Sequence, residues 1–425
     1  MRKVAVIGAG AAGCFCAAQL RAVAPEVAVT VFEAGPKPLA KVAITGGGRC
    51  NLTNDFQGIR SLADAYPRGE RLMKRALKAF SQKDTIEWFA RHGVPCVLQA
   101  DHCWFPQSQN ALDVVHCLEK AMAGAQLRLK TPVVSVSEGL TAEEVQSLTA
   151  GENYFSCSSS KNQFPPAIAK PTHLTVNGEA FDFVVVTTGG AAKGLPFLEG
   201  LGLEMVPPVP SLFTFNIPDT GLKSLMGLVV EASIGLQGMP LKADGPLLIT
   251  DWGLSGPATL KLSSYAARHL AETGYKGTVA INWLNKPESE VRQMLQESVL
   301  QNPQKLVASV HPVQQRLWGH IIGRAGLRPD IRWAELGSKG LNRLTATITN
   351  DCYPLAGKSK FRDEFVTAGG VALDNINLNT LESKQHKGLF FAGEVLDIDA
   401  ITGGFNLQAA WSTGFICAQS IVNSL

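Results

Sequence analysis

The chain has 425 residues, 45% hydrophobic and 18% charged, a balance that builds buried cores and excludes a disordered protein. At roughly 150 residues per domain it holds two or three domains. A net charge of +3 gives no chain-wide electrostatic signature for nucleic acid or an anionic membrane, and no apolar run reaches the roughly 20 residues a spanning helix needs.

Val4–Ile7 reads as a short buried strand, followed by a Gly-rich turn, a helix from Ala11 to Ala22 and a second strand, Val27–Phe32, ending at Glu33. That order opens a doubly wound parallel sheet. Pro36–Asn54 reads as a long loop carrying TGGGRCNLTN. Leu72, Ala76, Leu77 and Phe80 give Arg68–Phe80 a helical spacing, and Arg68, Arg71, Lys74, Arg75 and Lys78 form a solvated basic face able to attract an anionic nicotinamide dinucleotide. Ser81 with Asp84 is a capping-box pattern for a helix reaching His92-Gly93. Asn110 caps another, with Leu112, Val115, Leu118 and Met122 on one face. Leu127–Val136 reads as a strand, 139–172 as an irregular Ser-rich excursion, and Phe181–Thr187 as a fully buried strand ending at Thr188-Gly189-Gly190.

From 192 the texture changes to short strands split by Pro and Gly, then helices at Glu288–Leu300, Pro312–Gly326 and Ala334–Leu344. Residues 192–349 therefore read as an inserted β-plus-α domain, with Thr345–Thr349 leading back to strands. The first domain is split into 1–191 and 350–425. Gly388–Ala392 is a further buried strand and Phe405–Val422 a long final helix.

Gly8-x-Gly10-x-x-Gly13 follows the first strand, with Glu33 twenty residues beyond Gly13. The turn needs residues without Cβ so that backbone can approach a pyrophosphate seated on the helix N-terminus, and the acid accepts hydrogen bonds from a ribose diol. An acid there favours FAD or NAD over NADP. Gly393-Glu394 follows a second buried strand, and Gly403-Gly404-Phe405-Asn406 opens the final helix, so the ligand reaches from the first turn to the last helix. FAD has that reach. Glu394 is placed to hold its ribityl chain, and the dipole of the final helix to stabilise negative charge on the reduced ring.

KVAITGGGRCNLTN and TAGGVALDNINLNTLESKQHKGLFFAGEVLDIDAITGGFNLQAAWSTG, with TDWGLSGPATLKLS in the inserted segment, strongly resemble a bacterial flavoprotein family. Its members are described as aminoacetone-oxidase-like or BaiN-type NAD(P)/FAD-dependent oxidoreductases. The resemblance covers essentially the whole chain and implies an α/β fold, a glutathione-reductase-like (Rossmann-type) FAD-binding domain interrupted by an inserted domain. It implies cofactor contacts at Gly8, Gly10, Ala12, Gly13, Glu33, Lys41, Gly47, Gly48, Arg49, Cys50 and Asn51. It also implies Val133 beside the adenine, Thr188-Gly189 and Gly393-Glu394 along the cofactor, and Asn406 with Leu407 at the flavin. Ala11, Ala34, Gly46, Gly190, Gly404 and Phe405 complete the candidate set. Asp251, where many members carry His, and Ala400, where Gly is usual, depart from the pattern.

Other residues weigh more towards structure than chemistry. Arg49 suits phosphate or backbone positioning, Cys50 a packed loop position, and Trp411 the core. Asp397 and Asp399 stand evenly between base and turn residue. Asp101-His102-Cys103-Trp104-Phe105 reads as a loop lining the pocket, with no third group to complete an acid–base site. Ser255 in GLSGP is a helix-capping position and not a hydrolase elbow. Nine cysteines, odd in number and without a C-x-x-C pair, argue against a disulfide framework, a zinc site or a disulfide reductase, and suit a reducing, cytoplasmic setting.

The favoured expectation is an FAD-dependent oxidoreductase in which hydride passes through flavin N5. NAD(P)H is its transient electron donor and a small unsaturated molecule its substrate, with neither nucleic acid nor membrane as partner. Oxidation of a small amine such as aminoacetone, a non-catalytic flavin module (a sensor or an RNA-modification partner) and an NAD-only dehydrogenase are the rival readings.

Overall fold

The computed structural model describes residues 1–139, 173–190, 195–358 and 366–425. All but Gly139 of the expected 139–172 excursion lies outside the described residues. The chain divides into two units, Met1–Pro208 with Thr367–Leu425, and Val209–Val366.

In the first unit, β1 (Lys3–Ile7) is followed by α1 (Ala11–Val23) and β2 (Ala28–Phe32). Val4, Ala5 and Val6 are wholly buried, as a strand covered on both faces requires. The expected loop at 36–54 contains a helix, α2 (Ala40–Gly48), broken at Thr45, Gly46 and Gly47, where the two glycines take positive φ. There follow β3 (Thr53–Asn54), α3 (Leu62–Ala65), α4 (Glu70–Ala79), α5 (Gln82–Arg91), β4 (Cys96–Leu98), β5 (Cys103–Pro106) and α6 (Ala111–Ala121). Ser81 and Asp84 form both bonds of the expected capping box, and the Asn110 side chain accepts from the Leu112 N–H. Leu112 itself is 48% exposed; the buried face of α6 runs through Val114, Val115 and Leu118 instead.

The strand expected over Leu127–Val136 stops early, as β6 (Gln126–Arg128). Lys130 takes a left-handed φ of 50°, and the N–H groups of Lys130 and Thr131 turn back to the carbonyls of Gly35 and Glu33. A hairpin ribbon of β7 (Val136–Gly139), β8 (His173–Val176) and β9 (Glu179–Phe181) leads to β10 (Phe183–Val186). The central sheet has five parallel strands in the order Leu389–Phe391, β10, β1, β2, β6, with Val6 level with Val185 on one side and Val31 on the other. The final helix, Phe405–Val422, has the expected bounds.

The second unit is built on a seven-stranded antiparallel sheet, with Val229–Leu236 and Lys242–Ile249 at its heart. Helices Glu288–Gln301, Gln315–Arg324 and Gly337–Thr349 bury Trp283, Trp318 and Trp333 in its core. The expected boundaries at 192 and 349 both fall short of the observed ones. Residues 345–349, expected to lead into strand, finish a helix, and Asp351–Leu355 then pairs with Gly277–Asn282, which keeps the chain in the second sheet.

Candidate functional site

Three segments of the first unit carry the candidate residues, the first two at the carboxyl ends of parallel strands. The first is the turn after β1. Gly8 has φ +105°, and a Cβ there would lie 2.6 Å from the Thr187 carbonyl oxygen. A Cβ on Gly13 would lie 2.0 Å from the Gly8 oxygen, so α1 can sit this close to the turn only without a side chain. Gly10, the N-cap of α1, behaves oppositely: its Cβ would meet nothing within 4 Å. α1 begins with no side-chain cap and no acid in its first turn. Open space over free helix-end amides is a cradle for an anion.

Glu33 ends β2 with Oε2 accepting from the Ala9 N–H (2.9 Å) and Oε1 from the Gly35 N–H (2.6 Å). Val133 is two residues beyond Thr131, whose N–H donates to the Glu33 carbonyl. Ala34 and Thr188 are exposed. The sequence pointed to Thr188; it is Thr187 that ties the turn, its hydroxyl lying 2.8 Å from the Gly8 carbonyl oxygen and 3.0 Å from that of Ile7.

The second segment joins 189–190, Lys41 and Glu394. Glu394 Oε1 accepts from the Thr367 N–H (2.7 Å), and Lys41 Nζ stands 3.7 Å from Oε2. A Cβ on Gly190 would fall 2.7 Å from Glu394 Oε1. The Gly393 N–H donates to Thr413 Oγ1 in the final helix.

The third segment is the loop 46–51 against the start of the final helix. Gly46, Gly47 and Gly48 all have positive φ, and Cβ atoms on Gly47 and Gly48 would meet nothing within 4 Å. Arg49 positions backbone: its Nε donates to the Gly46 carbonyl and its guanidinium lies 4.5 Å above the Phe105 ring. Cys50 is buried with φ 60°, and burial pushes its thiol up to about 12, which makes it a packing residue. The Asn51 amide bridges the Thr53 carbonyl and the Gly404 N–H. Gly404, at φ +90°, starts the final helix with neither a side-chain cap nor an acid in the first turn. The Asn406 side chain is committed to its own loop, accepting from the Ala400 N–H and donating to the Ala400 carbonyl, while Phe405 packs edge-on against Phe56 and Tyr66. Leu407 is half-buried on the first turn.

Three groupings escape sequence reasoning. Arg68, expected on a solvated face, forms a buried ion pair with Asp399, which is wholly buried and therefore neither a free base nor a solvated turn acid. Gln408, also wholly buried, accepts from the hydroxyls of Thr53 (2.6 Å) and Thr85 (2.9 Å) and donates to Ser412. His102 sits not in an irregular loop but at the tip of the β4–β5 hairpin, at φ 64°, with Nδ1 3.1 Å from Asp55 Oδ2. Only the hairpin's residue types hinted at chemistry; the other two pairings join positions over 300 residues apart, which no local pattern reveals.

Two uncapped helix N-termini, a glycine-lined loop and an acid at the end of β2 fit the pyrophosphate, ribose and ring of an extended dinucleotide. The fold and these segments define an FAD-binding, Rossmann-type flavoprotein. Residues 2–420 match the model of the HI0933-like protein Rossmann domain family, and the chain belongs to that family. It is 30% identical to a ribosomal RNA dihydrouridine synthase of Haemophilus influenzae, covering 98% of this chain and 97% of the relative. Its Escherichia coli counterpart is 28% identical over 98% and 97%. A 3-dehydro-bile acid delta(4,6)-reductase of Clostridium scindens is 26% identical over 99% of both chains. The protein is an FAD-dependent oxidoreductase. Among the described residues no helix is long and apolar enough to cross a membrane, and no group of three or more His, Cys, Asp or Glu is placed to hold a metal ion.

Proposed function

We propose that this enzyme uses NAD(P)H to reduce a carbon–carbon double bond conjugated to a carbonyl. The observation that carries the reading is the shared chemistry of the full-length relatives: a dihydrouridine synthase and a bile acid delta(4,6)-reductase are both named for adding hydrogen across such a bond. FAD, when bound, supplies the hydride. Gly10, Ala11 and Ala12 would hold the pyrophosphate, Glu33 the adenosine ribose with Val133 beside the adenine, Lys41 and Glu394 the ribityl chain, and Gly46–Asn51 with the Gly404–Leu407 turn the ring. The uncapped N–H groups of Phe405, Asn406 and Leu407 would lower the energy of negative charge on a reduced ring held there.

The chain must also supply a proton, and we assign it to His102. Asp55 accepts from Nδ1–H and fixes the ring, so the proton that goes to the substrate carbon is the Nε2 proton of the imidazolium form, which is left as neutral imidazole. The hairpin reaches the flavin end because Cys103 pairs with Asn54, whose amide donates to the Gly403 carbonyl.

Anaerobic mixing of the yellow holoenzyme with NADH or NADPH should bleach the flavin, and 2-cyclohexen-1-one should then restore the colour. His102→Asn, a residue that tolerates the left-handed backbone, should leave bleaching intact and slow the second step by about 10²-fold or more. No bleaching by either nicotinamide, or bleaching by aminoacetone alone, overturns the reading. Equal second-step rates in the variant overturn the assignment of His102.

A further inference from the structure

The net charge speaks for the whole chain, not for each face. Between Arg68 and Lys83 the sequence carries six basic residues and a single acid, Glu70. On α4, Arg71, Lys74, Arg75 and Lys78 fall at i, i+3, i+4 and i+7, one stripe along the helix. All four are exposed, while Leu72, Met73 and Ala76 bury the opposite side. Among the described residues none of the four pairs with a carboxylate: the nearest cations with partners, Arg68 and Arg91, are bonded to Asp399 and Glu87. Four cations held side by side without counter-charges repel one another, a cost the fold carries without gain to its own packing.

α4 also has a defined place. Its N-cap, Gly69, approaches Ile398 so closely that a Cβ would lie 2.7 Å from that side chain, and Tyr66, just upstream, donates to the Phe405 carbonyl. The stripe therefore starts within a turn of the segment that opens the final helix and runs on for about 10 Å, the rise of about three stacked nucleotides along one strand.

We propose that the exposed face of α4 docks the sugar–phosphate backbone of RNA, so that the reducible base of a polynucleotide is presented to the flavin. The proposal rests on the reduction reading above and selects its substrate class. A stripe of cations that meet no carboxylate among the described residues fits a chain of phosphates; a small neutral enone has no use for them.

The test uses holoenzyme and a fluorescein-labelled single-stranded RNA of about 20 nucleotides, with affinity read by anisotropy across a salt series. Wild type should bind with a log–log salt slope set by its phosphate contacts. Lys74→Glu/Arg75→Glu should lose about tenfold or more in affinity and about 1.4 units of slope, two contacts at about 0.7 each. A charge-matched control in the second unit, Lys305→Glu/Lys339→Glu, should bind as wild type does. Flavin content, bleaching by NAD(P)H and turnover of 2-cyclohexen-1-one should be unchanged in both variants, which separates a failure of docking from a failure of the reduction reading. The proposal is overturned if wild type does not bind RNA, if both double variants lose affinity equally, or if the α4 variant binds RNA normally. A raised KM for NAD(P)H with RNA binding intact would instead make the face a nicotinamide dock and overturn it as well.

Discussion

Replacing Gln408 by Met keeps the length of the side chain and removes its polar head from a wholly buried site. The cost follows from what each partner has left. The Thr85 hydroxyl retains the Ser81 carbonyl at 3.2 Å, and Ser412 retains the Phe80 carbonyl at 2.7 Å, so each loses one bond of about 1 kcal/mol but is not stranded. Thr53 is stranded: among the described residues its hydroxyl's only other contact within range is the Asn54 carbonyl at 3.5 Å, and an unsatisfied buried hydroxyl costs about 1–3 kcal/mol. Gln408→Met should therefore destabilise the flavin unit by about 3–5 kcal/mol, read as a shift in the urea midpoint followed by flavin fluorescence. Adding Thr53→Val removes the stranded hydroxyl, so the double variant should be more stable than Gln408→Met alone by about 1 kcal/mol or more. A double variant that is less stable, with the two costs simply adding, would refute the claim that this hydroxyl depends on Gln408.

Two glycines three residues apart should respond in opposite ways. Gly13→Ala forces a methyl to 2.0 Å from a backbone oxygen and should lower stability by about 3 kcal/mol or more with or without cofactor, whereas Gly10→Ala meets no protein atom and should leave apoprotein stability unchanged while flavin content falls. Equal flavin content in Gly10→Ala and wild type would remove the pyrophosphate from that position. In the second unit, burial holds His320 below its ordinary value of 6.5 against the pull of Asp351 and Asp219, with Arg324 also opposing its charge. The unfolded chain then binds the extra proton first, so this contribution is present above about pH 6.5 and is lost as pH falls from there through the lowered folded value. His320→Gln should flatten the stability profile between about pH 7 and 5 in denaturant titrations, and a profile as steep as wild type's would count against it.

What could be read from the sequence was whatever is local. The strand–turn–helix order, the caps at Ser81 and Asn110 and the bounds of the final helix rest on neighbours within a few residues, and the structure has them all. The early end of β6 was missed because a Val-rich run at 133–136 resembles strand, while the left-handed Lys130 that turns the chain leaves no trace in composition. The second unit's boundary was missed because Asp351–Leu355 chooses its sheet through a partner strand some seventy residues earlier. Arg68 reads as surface by every local rule, since its partner, Asp399, is distant in sequence.

That ion pair also helps to hold the segment that leads into the final helix. Ala400 is wholly buried, its N–H and carbonyl are both bonded to the Asn406 side chain, and the Ile401 N–H donates to the Ala65 carbonyl. With Asp399 tied to Arg68, residues 399–401 are fixed from three directions immediately before Gly403 and Gly404. A segment fixed this way can leave the first amides of the final helix uncapped, since their position no longer depends on a capping side chain. The uncapped first turn of the final helix is thus held in place by bonds made just upstream. Variation at Arg68 should show itself first in flavin retention, before any effect on hydride transfer.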